Sequence, residues 1–224
     1  MPVHLTPIEQ PAADVLLTGD PRRAFAIAGE LMEQPRMSHQ ARGLWGYTGT
    51  TAGGLDLTVQ STGTGGPSAA AVFGDLTGLG ARSFVRLGTC VVSPGGPAPG
   101  TALLVKAAIC QDGTSGALAG AGETVLPDPA LFELFEGIAE PVAVSSHDFV
   151  ARTDPSGGAP ATGAVARDLQ TATILALAAK TGLGAAAVLI VASETAGVSM
   201  AEAELTERFL DLGRSVSRRL ETTR

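Results

Sequence analysis

An apolar run, Asp14-Val15-Leu16-Leu17, breaks at Thr18-Gly19-Asp20-Pro21-Arg22-Arg23 and passes directly into a helix-like stretch. A buried strand that turns on a glycine into a helix is the building step of a layered α/β fold. Gly19 permits a sharp turn. Asp20 is a good N-cap, and Pro21 suits the first helical position, where no amide hydrogen is needed. Arg22 and Arg23 then fall in the first turn, where the helix dipole disfavours positive charge unless an anion is bound. The junction therefore reads as an oxyanion site, most simply for phosphate. The same residues also suit a capped surface helix with solvated arginines.

The rest of the chain repeats this alternation. Strands are predicted near 14–18, 43–49, 55–61, 82–88, 101–111, 140–146 and 186–193, and helices over 21–33, 66–79, 162–181 and 199–221. Gly53-Gly54 joins two alternating runs as a hairpin turn. The segment from Val91 to Gly100 is rich in proline and glycine and is expected to be loop, as is Asp154 to Pro160. Neither break is flanked by a composition change, so residues 1–224 are read as one domain. The expected fold is α/β, a mixed and largely parallel sheet, partly closed and flanked by helices.

Composition excludes several function classes. Charged residues are 17% and hydrophobic residues 45% of 224, an ordinary globular balance. A net charge of −7 argues against a nucleic-acid surface, while a few clustered arginines can still hold a small anion. No segment approaches the roughly 20 apolar residues of a membrane span. Cys90 and Cys110 are too few for a disulfide framework or zinc site, so a cytoplasmic protein without a metal is expected.

Ligands in open α/β sheets collect at the carboxyl ends of strands, and four such ends carry polar residues. The first is Gly19 to Arg23. The second, Ser61-Thr62-Gly63-Thr64-Gly65-Gly66-Pro67-Ser68, offers glycine turns and hydroxyls to phosphate or sugar oxygens. In the third, Arg86 lies inside an apolar strand and needs either an anion or a carboxylate partner; Thr89 follows it. The fourth joins Asp168-Leu169-Gln170-Thr171-Ala172 to the strand end Ser193-Glu194. Asp168 there suits a routine helix-start acid, and Glu194 a proton donor or base-contacting group.

In order, these pieces resemble the nucleoside phosphorylase-I family, which includes hexameric purine nucleoside phosphorylases and uridine phosphorylases. The resemblance is carried by Thr18–Arg23, by Arg42-Gly43-Leu44-Trp45-Gly46-Tyr47-Thr48-Gly49 with the following glycine turn, and by Arg86–Cys90. It implies phosphate binding by Gly19, Arg23, Arg86 and Thr89, with Arg42 donated by a neighbouring subunit. It implies ribose contacts from His4 (again from the neighbour), Thr64, Leu169 and Gln170. The base would meet Cys90, Val91, Phe149 and Glu194, and Glu194 and Arg86 would be the catalytic pair. The partners implied are a nucleoside and inorganic phosphate as co-substrate, with no other cofactor. A dimer would be the minimal unit and a trimer of dimers the common assembly.

Three departures shape the expected activity. The family's ribose-holding glutamate is Gln170, which brings no charge to a cationic sugar. If that lost clamp has left a binding protein with little turnover, restoring glutamate there is expected to raise turnover. Ser193-Glu194 replaces a serine-aspartate pair, one residue further on. Val91 replaces a glycine and crowds the base pocket. The helix start Gln170-Thr171-Ala172-Thr173 reads closer to the uridine than to the purine branch. Phosphorolysis is the leading expectation; a hydrolytic nucleosidase and a binding protein with little turnover are the alternatives.

Overall fold

The structure, a computed structural model, describes residues 3–148, 159–195 and 199–223. Its described residues form one ten-stranded mixed sheet. The amino-terminal part holds β1 (Asp14–Thr18), α1 (Pro21–Leu31), β2 (Arg36–His39), a 3-10 turn at Ala41–Gly43, β3 (Gly46–Thr50), β4 (Asp56–Ser61) and α2 (Gly65–Gly78). The centre holds β5 (Ser83–Val92), β6 (Ala102–Gln111), α3 (Gly113–Ala119), β7 (Thr124–Val125), α4 (Pro129–Phe135) and β8 (Glu140–His147). The chain closes with β9 (Ala166–Asp168), α5 (Thr171–Thr181), β10 (Gly184–Glu194) and α6 (Glu202–Glu221).

One strand organises the rest. On one edge β5 pairs with β10 from Ser83 to Val92. On the other edge it pairs in parallel with β1 up to Arg86, then antiparallel with β9 at Val91 and Val92. Because β10 also pairs with β6, β6 with β8 and β8 with β9, these strands close into a barrel with β5. Strands β1, β4, β3 and β2 continue outward as an open wing. Along the edge where the wing ends and the barrel begins, residues 87–90 of β5 have no ladder partner among the described residues. Such a switch point opens a crevice at the carboxyl ends of strands.

The helices cover both faces. Beneath α2 and α5 lies one core, in which Phe73 and Phe84 stack at 4.2 Å between ring centroids. Beneath α1, α4 and α6 lies the other, built around Leu16, Ile27, Leu57, Phe135 and Phe209. Each fully buried side chain of this size stabilises the fold by about 1.5–3 kcal/mol. On α6, Leu205, Phe209, Leu212, Val216 and Leu220 recur every three or four residues and form its buried stripe. Glu202 and Glu204 in its first turn and Arg218 and Arg219 in its last complement the helix dipole.

The expected fold class and the Gly53-Gly54 hairpin agree with this architecture, and several boundaries are corrected. The helix expected over 162–181 begins only at Thr171, because Ala166–Asp168 is drawn into the sheet between β8 and β5. The strand expected over 82–88 continues to Val92, since β10 and β9 supply ladder partners to that point. Arg36–His39, Gly113–Ala119, Thr124–Val125 and Pro129–Phe135 are elements the periodicity did not give. Most of the loop expected at 154–160 lies outside the described residues.

Candidate active site

The first strand-to-helix junction forms as expected in its cap. The Asp20 carboxylate accepts from the Arg22 and Arg23 amides at 2.7 and 3.2 Å, and Pro21 occupies the first turn. This has a chemical consequence. The α1 amides that would greet an anion are already held by a carboxylate, so anion binding here falls to side chains and to the turn. The backbone at Gly19 is not left-handed; a Cβ there would stand 3.4 Å from the Gly63 carbonyl. The chain bends at Gly19, as expected, without left-handed backbone there.

The second strand end behaves differently. Gly63 (φ 69°) and Gly65 (φ 83°) flank Thr64, the N-cap of α2, whose side chain makes no capping bond. The first turn of α2 thus meets the crevice without a side chain claiming its amides. A Cβ on Gly66 would lie 2.7 Å from an Asp112 carboxylate oxygen, so only glycine lets α2 start this close to α3.

At the third end, Arg86 is buried, with 5% of its side chain exposed beside a fully buried Asp168. Its Nη2 and Nε donate to Asp168 Oδ2 at 2.9 and 3.2 Å, Nε also to Thr171 Oγ1 at 3.1 Å, and Nη1 to Gln170 Oε1 at 2.9 Å. Gly88 makes room for this: a Cβ there would sit 2.6 Å from the guanidinium carbon. The carboxylate partner allowed for Arg86 by the sequence is present and is Asp168. A guanidinium carries five N–H groups, and these bonds leave one uncommitted on each of Nη1 and Nη2. Asp168 is itself satisfied by Ser146 Oγ at 2.6 Å, Thr171 Oγ1 at 2.6 Å and the Thr171 amide at 3.0 Å. A buried pair this well bonded costs about 3–5 kcal/mol when one partner is removed.

These elements border one cavity of about 830 Å³. Of the residues expected in a site, Gly19, Arg23, Thr64, Arg86, Thr89, Cys90, Val91, Leu169, Gln170 and Glu194 line it. Arg23 lies 4.9 Å over the Phe209 ring and donates through Nη2 to Glu202 at 3.2 Å, while its buried Nε has no partner. Burial drives the Cys90 thiol pKa upward, keeping it protonated and unreactive. On β10 a bulge at Ala192 sets Ser193 opposite Val91 and Glu194 opposite Val92.

Three expected residues stand apart. His4 and Arg42 do not border this chain's own cavity. His4 is fixed through its backbone, since Asp75 accepts from the amides of Val3, His4 and Leu5 at 2.5–3.1 Å. Burial alone would raise the Asp75 pKa, but these amides outweigh it and lower it. Arg42 is exposed and, at φ 59°, is the one non-glycine residue in left-handed backbone among the described residues. Phe149 lies outside the described residues.

Sequence reasoning missed Arg167, which lines the cavity from β9 opposite Val91, together with Thr195 and Ser199. Its signal was concealed because 162–181 reads as one helix, in which Arg167 is an ordinary surface residue.

The phosphorylase superfamily matches residues 14–222. A DeoD-type purine nucleoside phosphorylase from Oceanobacillus iheyensis is 39% identical over 92 residues, 40% of this chain and 39% of that protein. The DeoD-type enzyme of Exiguobacterium sibiricum is 41% identical over 91 residues, 40% of this chain and 38% of that protein. The chain thus spans about two fifths of the length of the curated relatives it matches. With the family match running from β1 through α6, this chain belongs to the phosphorylase superfamily.

Proposed function

We propose that the protein catalyses phosphorolysis of a nucleoside, releasing the free base and (deoxy)ribose 1-phosphate. The observation that carries this reading is the meeting of two guanidinium groups, from α1 and β5, with two glycine turns at one cavity. In phosphorolysis the nucleophile is phosphate, so the protein's task is to place an anion beneath C1′ and stabilise the departing base. The two uncommitted N–H groups of Arg86 and the partnerless Nε of Arg23 offer donors to the phosphate, with Thr89 and Gly19 beside them. Thr64 and Leu169 line the sugar position, and Glu194, Val91 and Cys90 the base position. Phe149 would complete the base position.

Arg42 and His4 would serve the cavity of a second copy, making a dimer the minimal active unit and a trimer of dimers the larger assembly. The strained backbone at Arg42 supports this, since such conformations concentrate where function holds them. The relatives' names point to purine nucleosides. They lend no support to the uridine leaning drawn from the start of α5, so purines come first in the test.

Base release from inosine, adenosine, guanosine, uridine and thymidine, each with and without phosphate, decides the matter. Phosphate-dependent release of at least one base is expected. Equal release without phosphate would replace phosphorolysis by hydrolysis. Tight nucleoside binding with no release would leave a binding protein.

A further inference from the structure

The amide of Gln170 is engaged at both its ends where it borders the cavity. It is 2% exposed. Its Oε1 accepts from Arg86 Nη1 at 2.9 Å and from Thr62 Oγ1 at 3.0 Å. Its Nε2 donates to the Gly63 carbonyl at 2.8 Å and to the Gly65 carbonyl at 3.2 Å. The partners settle the amide's orientation without ambiguity: a guanidinium can only donate and a carbonyl can only accept. All four of these partners belong to the protein itself, and the two carbonyls take both amide hydrogens.

We propose that Gln170 is a positioning residue: it joins the Gly63–Gly65 turn, and so the uncapped start of α2, to Arg86, and only an amide can do this. The proposal deepens the phosphorolysis reading, on which its kinetic readouts rest. A carboxylate at this position has no hydrogen to give to two facing carbonyls. It would also set a second acid against Arg86, which already carries Asp168. The neutral side chain is thus what keeps the anion-facing edge of Arg86 positive while the turn stays closed. Turnover in this chain is then expected to fall when glutamate is introduced, the reverse of what family resemblance alone implies.

The test compares Gln170→Glu and Gln170→Met with wild type. Amide hydrogen exchange over residues 63–68 needs no ligand and reads the turn directly. It is expected to quicken about tenfold or more in both variants, the scale of one or more net hydrogen bonds lost. Inorganic phosphate alone, titrated by thermal shift, is expected to bind about tenfold more weakly to Gln170→Glu, and less weakened to Gln170→Met, which adds no charge. With nucleoside present, the KM for phosphate should rise more than the KM for nucleoside. Unchanged exchange in Gln170→Met overturns the proposal, and so does a gain in kcat/KM for a ribonucleoside in Gln170→Glu. Should the glutamate variant not fold, the methionine variant carries the test alone. Absence of base release by wild type would sink the phosphorolysis reading, yet leave the exchange experiment intact to judge Gln170.

Discussion

Two of the arginines that line the cavity, Arg86 and Arg23, are held in opposite ways. Arg86 comes from the middle of a buried strand and is bound by Asp168, Thr171 and Gln170, nearly out of reach of solvent. Arg23 comes from the first turn of a helix and is paired with Glu202, whose side chain is 68% exposed. The first arrangement fixes a charge where water cannot screen it, at the cost of making that charge part of the fold. The second rests on the Phe209 ring and pairs with an acid that water reaches, and such a pair contributes only about 0–1 kcal/mol. One guanidinium is thus held by interior bonds and the other by a contact open to solvent.

The sharpest way to break this contrast is Arg86→Ala, which strands the Asp168 carboxylate in the interior. Its stability should drop by about 3–5 kcal/mol. For a domain of this size that lowers the melting temperature by about 6–20 °C, and phosphate-dependent base release should disappear. An Arg86→Ala protein that melts like wild type would show that the pair is not part of the fold. Asp168→Asn should follow, with a loss of about 1–3 kcal/mol from hydrogen bonds that weaken or lose their charge. Calorimetry measures it, and a neutral effect would mean that Arg86 is held by Gln170 and Thr171 alone.

Arg23→Ala separates binding from folding. Its melting temperature should stay within a few degrees of wild type, while the KM for phosphate rises about tenfold, the loss of roughly one charge-assisted contact. An unchanged KM would remove Arg23 from the anion site. Glu202→Gln is the mildest change. It should shift stability by less than about 1 kcal/mol, and phosphate affinity should stay level or improve slightly as Arg23 is released. Weaker phosphate binding in this variant would mean that Glu202 orients Arg23 rather than competing for it.

The parts of the molecule legible in the sequence are those whose cause is local. Asp20-Pro21 announces α1, and the same grammar stands at Asp128-Pro129 and at Asp112, which cap α4 and α3. Those two helices went unread because seven residues are too few to show a helical period. What escaped the sequence depends on distant partners. Ala166–Asp168 is a strand only because β5 and β8 flank it, and nothing within those three residues says so. Arg167 was missed for that reason. That Arg86 needs a buried partner was legible from a charge inside an apolar strand, but that the partner is Asp168, 82 positions away, was not. Gln170 was noticed as a departure in charge; its four protein bonds follow from tertiary packing alone.

The divided edge of β5 has a consequence for how such a protein can change over evolutionary time. Gly19 and Arg23 are carried by the wing, whereas Val91, Arg167 and Glu194 belong to the barrel, and a single strand is the seam between them. On the phosphorolysis reading, drift in the outer barrel strands can remould the far end of the chamber while the wing keeps its hold on phosphate. Anchoring and selectivity are thereby placed under separate inheritance, and a lineage built this way can exchange what it recognises without rebuilding how it holds on.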